Sequence, residues 1–318
     1  MRALRVEEGG TRVADVAAPA SEGEAVVRVV LSGVCNTDLE IARGYAGFRG
    51  TIGHEFVGVV EEAAGGLTVG TRVVGEINAG CGECDRCRRD DPRHCPTRTV
   101  LGIVGRDGAH AERLRLPARN LLRVPDAVPD EAAVFAEPLA AAWGVREACD
   151  VSVDRRTAVI GDGKLGLLCA LALAAGGARP LVVGKHADKL ALAAARGLET
   201  ALVDDARKRA RAFDVVVEAS GGASGFDLAL TLLEPQGTLV LKSTFHGATP
   251  VDAARVVVDE IRVVGSRCGR LAPALDLLSR GAIDPRFLIS DVRRLDDAVD
   301  AMTQAARPGV LKVLLRPG

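Results

Sequence analysis

Four cysteines, Cys81, Cys84, Cys87 and Cys95, stand in the spacing C-x2-C-x2-C-x7-C within GCGECDRCRRDDPRHCP. Thiolates this close in sequence can surround one ion tetrahedrally, and zinc is the ion that takes four sulfurs. The segment has little apolar content to fold around, so metal-binding energy would become folding energy. A four-thiolate shell has no open position, so this zinc is expected to be structural. Disulfides are the alternative, but they belong to exported chains. The chain begins MRALRVEEGG, without a charged-then-apolar leader.

A second set of ligand types lies upstream. Cys35 sits in GVCNTDLE, His54 and Glu55 in GHEFVG, and Glu137 in the apolar stretch VFAEPLAAA. A catalytic zinc needs about three protein ligands and one open position, commonly mixing sulfur, nitrogen and oxygen. Cys35, His54 and either Glu55 or Glu137 meet that need. Alone, such a cysteine reads as a small buried hydrophobe and such a histidine as a satisfied polar group. The four-cysteine loop and a cofactor motif give them a metal reading instead.

That motif is G-x-G-x-x-G, formed by Gly161, Gly163 and Gly166, with Lys164 and Leu165 completing GDGKLG. The first glycine allows a tight turn, the second lets backbone approach a pyrophosphate, and the third lets helix and strand pack closely. It follows the strand-like TAVI and opens the helical run LGLLCALALAA. A strand before and a helix after are the context a dinucleotide site requires, with phosphate at the helix N-terminus. S-adenosylmethionine enzymes also use glycine-rich loops, but they have no need of two zinc sites. Enzymes using NAD carry an acid at the end of the next strand, for the ribose 2′-hydroxyl. Here PLVVGKHADK has Gly184 at that place, followed by Lys185. Gly184 leaves room for a 2′-phosphate and Lys185 offsets its charge, which points to NADP. The alternative is NAD, with Asp188 serving the ribose.

In order and spacing, these motifs resemble the zinc-dependent medium-chain dehydrogenase/reductase family, the alcohol, polyol and threonine dehydrogenases. The resemblance covers nearly the whole chain. GHEFVG followed by VGTRVVG resembles the family's zinc signature, and Cys81 to Cys95 its structural-zinc lobe. FAEPLAAA is similar to the segment that supplies the last catalytic-zinc carboxylate in the polyol and threonine branches, and GDGKLG to the cofactor loop. The resemblance implies an α/β protein with a GroES-like β-rich catalytic domain and a doubly wound (Rossmann) parallel-sheet domain. The first would span 1–138 and 270–318, with the zinc lobe at about 78–97, and the second 139–269. It implies two Zn2+ per chain, one catalytic and one structural. Thr37 matches the family's proton-relay hydroxyl, and Asp38 the acid that orients the zinc-bound histidine. Both residue types also suit a helix N-terminus before LEIARG. Glu40 stands where many alcohol dehydrogenases have a relay histidine, a departure that leaves the terminal proton acceptor open.

The implied activity is hydride transfer between a nicotinamide cofactor and a secondary alcohol, polyol or sugar-like substrate. The competing readings are a catalytically silent relative used for binding and a zinc-independent quinone or enoyl reductase. The intact set Cys35, His54 and Glu137 argues against both.

The elements that must position these residues follow from pattern and composition. A length of 318 residues suggests about two domains, and 48% hydrophobic residues are ample for two cores. A net charge of −1 implies neither nucleic acid nor an anionic membrane as partner. LGLLCALALAAGG is shorter than the roughly 20 residues a spanning helix needs. The chain is therefore expected in the cytoplasm, with Cys149, Cys169 and Cys268 as free thiols. Up to about Pro138, the β-branched runs EAVVRVVLSGV, FVGVVEEA and TRVVGEI predict an all-β region whose loops carry the ligands. Beyond it, TAVIG, PLVVG, TALVD, DVVVEA, GTLVLKS and IRVVGS alternate with helical patterns, which predicts a parallel sheet covered on both faces. The short link between TALVD and DVVVEA predicts a reduced crossover helix. RLAPALDLLSRGAI predicts an amphipathic helix and LKVLLRP a strand, which the resemblance returns to the first domain. Tyr45, Phe48 and Trp143 would line a pocket or fill the core, and His94, His110, His186 and His246 have no ligand partner by spacing. IRVVGS would be an edge strand, which must pair or be protected, so a homodimer or homotetramer is expected.

Overall fold

Strands with buried β-branched residues build the first of two units, which comprises Met1–Glu137, Leu278–Arg280 and Asp284–Gly318. The computed structural model describes residues 1–244 and 250–318, apart from the side chain of Ala46. His246 lies outside the described residues. β1 (Arg2–Glu7) forms a hairpin with β2 (Gly10–Asp15) and pairs on its other edge with β4 (Gly50–Thr51). β3 (Ala25–Gly33) pairs antiparallel with both β5 (Glu55–Glu62) and β10 (Arg113–Leu116). β6 (Arg72–Gly75) and β11 (Leu121–Arg123) extend the β5 edge. β7 (Asn78–Ala79), β8 (Thr99–Leu101) and β9 (Gly105–Arg106) make a small separate sheet, and the cysteine loop leaves from β7 and returns at β8. The region is not purely β, since the helix Asn36–Ala42 follows β3.

Two buried clusters hold this unit. Val27, Val29, Phe56, Val60, Val73 and Leu116 form one. Leu4, Val6, Ile41, Phe48 and Ile52 form much of the other. Each fully buried side chain of this kind stabilises by about 1.5–3 kcal/mol. Phe48 is therefore a core residue, whereas Tyr45 is exposed at the turn Tyr45–Gly47.

The second unit, Pro138–Leu277 with Gly281–Ile283, is a six-stranded parallel sheet. Its strands are β12 (Thr157–Ile160), β13 (Leu181–Gly184), β14 (Glu199–Leu202), β15 (Phe213–Glu218), β16 (Leu233–Leu241) and β17 (Arg262–Gly265). The order is β14-β13-β12-β15-β16-β17, the doubly wound arrangement whose switch point lies beside the first strand. Every residue of β12 and β13 is buried, as a sheet covered on both faces demands. The crossover from β14 to β15 holds only the short helix Val203–Arg207, matching the short link in the sequence.

The helix Leu271–Ser279 precedes the return to the first unit. Between Leu278 and Asp284 the chain passes back to the first unit. β18 (Ile289–Arg294) and β19 (Lys312–Arg316) pair in parallel, and β19 adds antiparallel to β3. Val313 and Leu315 of β19 complete the second cluster of the first unit.

Candidate functional site

The cysteine loop folds its four sulfurs inward. Sγ atoms of Cys81, Cys84, Cys87 and Cys95 all lie within 4.8 Å of one another, and Cys81 and Cys87 are 4.0 Å apart. A tetrahedron with zinc–sulfur bonds of about 2.3 Å has edges of about 3.8 Å, so the set fits that ion. Backbone N–H groups point at the sulfurs: Cys81 N–H donates to Cys95 Sγ and Cys84 N–H to Cys81 Sγ, both at 3.4 Å. The N–H of Cys81 and the Thr97 hydroxyl pull the Cys95 thiol down, to about 6. Despite the Gly82 N–H, burial and the neighbouring thiols push Cys87 up, to about 11. Four thiols so close cannot all ionise without a cation among them. Gly80 permits the approach, because a Cβ there would lie 2.7 Å from Cys87 Sγ.

Strand register gathers the second set. Gly33 of β3 faces Glu55 of β5 on one side and Leu314 of β19 on the other. Cys35 follows the end of β3 and His54 precedes β5, so the two meet at one end of the sheet. Ligand atoms of Cys35, His54 and Glu55 lie within 4.8 Å of one another. A Cβ at Gly33 would run into the Glu55 carboxylate, so glycine is what lets that carboxylate lie across the strand. Glu55 and Lys312 form a buried ion pair, and Lys312 Nζ also donates to Val34 O at 3.3 Å and lies 5.7 Å from the centre of the Phe135 ring. Burial works against the charge on Lys312, but Glu55 and the Cys35 thiolate outweigh it and hold its pKa above the ordinary lysine value.

Asp38 locks the segments that carry Cys35 and His54 together. Cys35 is the N-cap of helix Asn36–Ala42, and Asp38 is its third residue. Asp38 Oδ2 accepts the Cys35 N–H at 2.8 Å, and Oδ1 accepts the Gly53 N–H at 3.1 Å. The capping role thus falls to Asp38 from inside the helix. Its carboxylate is fully buried, with His54 Nδ1 at 3.3 Å and His110 Nε2 at 3.4 Å. Burial alone would raise the Asp38 pKa, yet the two rings hold it well below the carboxylate range. For His54, burial is likewise outweighed by Asp38 and Cys35, which raise its pKa well above normal. Among the described residues, neither facing ring nitrogen, at ion-pair distance from Asp38, has hydrogen-bond geometry to a partner. His110 Nδ1 shares a 2.8 Å hydrogen bond with the Ser32 hydroxyl. A thiol, an imidazole and a carboxylate with ligand atoms within 4.8 Å of one another fit a zinc shell with an open position.

The remaining expected residues are spread around this cluster. Glu137 lies in the first turn of helix Ala136–Ala148, outside the convergence of Cys35, His54 and Glu55. Burial, seconded by Glu55 and Glu76 against His54 and Lys312, pushes its pKa up to about 7. Thr37 Oγ1 is 3.8 Å from Cys35 Sγ. Glu40 accepts from Arg43 at 2.8 Å. Sequence reasoning missed Lys312 and the packing of His110 on Asp38. The signal for Lys312 was a lone cation inside LKVLL, since a buried lysine must be paired.

In the second unit, β12 ends at Ile160 and helix Lys164–Ala175 starts after its N-cap, Gly163. Gly161 has φ +130°, and a Cβ at Gly166 would run into Gly161 O. Gly163, Lys164 and Leu165 are partly exposed at the helix start, where a phosphate would bind. The space expected beside Gly184 is filled. A Cβ at Gly184 would lie 2.5 Å from Asp162 Oδ2 and 2.6 Å from Asp162 Cβ. The Lys185 side chain is exposed, while its N–H is bound by Asp162.

The similarities to known proteins follow these two units. Residues 21–126 match the alcohol dehydrogenase GroES-like domain, and residues 165–280 match the zinc-binding dehydrogenase domain. The chain is 32% identical over 262 residues to an L-threonine 3-dehydrogenase of Chelativorans sp. (strain BNC1), covering 76% of this chain and 75% of that one. A protein of Sinorhizobium meliloti 1021, solved bound to NADP, is similar with a TM-score of 0.90 and 28% identity over 99% of both chains. The short chain alcohol dehydrogenase rspB of Escherichia coli CFT073, complexed with NADH, gives 0.90 and 27% over 99% of both. With a GroES-like unit, a doubly wound unit and a relative this close over three quarters of its length, the chain belongs to the zinc-dependent medium-chain dehydrogenase/reductase family.

Proposed function

We propose that this protein is a zinc-dependent dehydrogenase that moves a hydride between a nicotinamide dinucleotide, NAD(H) or NADP(H), and the carbinol carbon of a secondary alcohol, polyol or sugar-like substrate. The observation that carries the reading is the convergence of Cys35, His54 and Glu55 within 4.8 Å, in a chain that also has the glycine turn at Gly161 and Gly163. Zinc at that cluster would supply Lewis-acid charge that stabilises negative charge on the substrate oxygen, and the nicotinamide would supply or accept the hydride.

The protein's own part is to hold and neutralise. Asp38 orients the His54 ring and, through the Cys35 and Gly53 N–H groups, fixes the spacing of the two ligand segments. Cys35 and His54 would be metal ligands under this reading. Of the two carboxylates, Glu55 is already neutralised by Lys312. Glu137 has no ion pair among the described residues, and a cation would relieve the burial that raises its pKa. We therefore assign the third ligand to Glu137, with Glu55, beside Cys35 and His54, held by Lys312. The Thr37 hydroxyl would pass the substrate proton outward, and Glu40, which accepts a hydrogen bond from Arg43, would be its acceptor. The four thiols of Cys81, Cys84, Cys87 and Cys95 would hold a second, structural zinc.

The edge strand β17 exposes Val263, which supports a homodimer or homotetramer. Light scattering that returned a monomer mass would remove that part. No disulfide joins any of the eight cysteines and, among the described residues, no helix is long and apolar enough to cross a membrane, which supports the reading of a cytoplasmic setting. The test of the activity is zinc analysis together with a cofactor-coupled screen of secondary alcohols, polyols, sugars and amino alcohols, using both nicotinamides. A protein that carries structural zinc yet binds no dinucleotide and turns over nothing would refute the reading and favour a binding-only relative.

A further inference from the structure

The acid that the doubly wound fold ordinarily carries at the end of its second strand is absent, because β13 ends in Gly184. A different acid occupies its place. Asp162, between the two leading glycines of GDGKLG, folds its side chain over the end of β13. Its Oδ2 accepts the N–H of Lys185 at 2.7 Å and of His186 at 2.8 Å. The His186 ring Nδ1 lies 3.0 Å from Oδ2 and 3.1 Å from Oδ1. The residue is 8% exposed. Burial would raise its pKa, but the N–H groups and ring of His186, with the Lys185 N–H, hold it below the carboxylate range, so it is an anion at neutral pH. The two positions are sterically reciprocal. A Cβ at 184 would come within 2.8 Å of Asp162 Cγ as well as crowding its Oδ2 and Cβ. Glycine at 184 is therefore the condition for Asp162 to lie there, and it does not leave an empty phosphate pocket.

We infer that Asp162 is the cofactor-specificity residue of this chain, replacing the strand-end acid from the glycine loop and selecting NAD(H) over NADP(H). The inference rests on the dinucleotide reading proposed above. Oδ2 accepts two backbone N–H groups and faces the His186 ring, whereas Oδ1, among the described residues, has that ring alone as partner and keeps acceptor capacity for a ribose 2′-hydroxyl. A 2′-phosphate would meet a buried carboxylate instead of the free N–H groups of the β13 turn, which Asp162 already holds. Repulsion by a placed like charge is an effective way to reject a competing ligand. Lys185 offers only exposed, screened charge in compensation, and Lys189, half-buried, lies a turn further on in the following helix.

The test uses the purified zinc-loaded protein and reads binding rather than turnover. Dissociation constants for NADH and NADPH are measured by fluorescence, and those of the fragments 5′-AMP and 2′,5′-ADP by calorimetry. The wild type should bind NADH at least tenfold tighter than NADPH, and 5′-AMP tighter than 2′,5′-ADP. Asp162→Ser should shrink or reverse both ratios by tenfold or more. The double variant Asp162→Gly/Gly184→Asp, which moves the acid to the strand end, should restore the NADH preference. A purely structural role would lower affinity for all four ligands without moving the ratios. Ratios that stay put, or a wild type that prefers NADPH, overturn the inference and leave the dinucleotide reading intact. Failure of all four ligands to bind would overturn both.

Discussion

Replacing Lys312 by Met isolates the energetic role of the buried pair behind the candidate zinc site. The side chains of Lys312 and Glu55 are 1% and 2% exposed, so neither charge has water to fall back on. Met keeps most of the lysine's volume and apolar contact with Phe135 but removes the charge and the hydrogen bond to Val34 O. Glu55 is then an uncompensated buried carboxylate. Breaking a buried pair from one side costs about 3–5 kcal/mol, most of it the penalty on the partner left behind. At roughly 2–4 °C per kcal/mol for a domain of this size, the melting temperature should fall by about 6–20 °C. The double variant Lys312→Met/Glu55→Gln removes both charges and should recover at least half of that loss, since replacing a whole buried pair is often near neutral. Urea denaturation of the wild type, both single variants and the double variant closes the cycle and reads the coupling directly. A loss below about 1 kcal/mol for Lys312→Met, the scale of an exposed pair, would refute the reasoning. A double variant no more stable than the single one would refute it equally.

Four further outcomes are expected. Cys81→Ser should cost one zinc per chain and lower the melting temperature, while intrinsic turnover of the surviving folded fraction changes less; unchanged metal content would rule out the structural role. His54→Ala should abolish turnover and leave dinucleotide dissociation constants within about threefold, under 1 kcal/mol, whereas turnover at the wild-type rate would exclude a catalytic metal there. Glu137→Gln should weaken zinc retention at the Cys35–His54 site more than tenfold against a chelator, and Glu55→Gln should act mainly on stability; the reverse ordering would make Glu55 the ligand. At Asp214, burial would raise the pKa, but the Arg156 guanidinium and N–H, at 3.0 and 2.8 Å, hold it below the carboxylate range. A depressed folded value means its stabilisation is present above the unfolded value of about 3.9 and is lost as pH falls through the folded one. Asp214→Asn should therefore cost about 1–3 kcal/mol at pH 7, a gap that closes in denaturation curves recorded in the acid range and that would be pH-independent if the pairing were inert.

Much of this protein was legible in the order of its residues because the informative features are local. Six apolar runs separated by helical patterns specify the parallel sheet, and its strand order follows from short right-handed crossovers. A glycine turn between strand and helix is likewise read from one short segment, and the closeness of Cys81, Cys84, Cys87 and Cys95 from fifteen consecutive residues. Local spacing was silent where contact depends on pairing between distant strands. Gly33, Glu55 and Lys312 meet only because β3, β5 and β19 lie side by side, so the charge that neutralises Glu55 comes from the last strand of the chain. His110 reaches Asp38 in the same way, from the segment before β10. Gly184 is the clearest instance. By its neighbours it promised an open space for a phosphate, yet the side chain that fills that space comes from the turn after the adjacent strand. A sequence specifies which groups are available and how each strand is faced, whereas register and sheet order decide which groups touch, and burial then decides their charge.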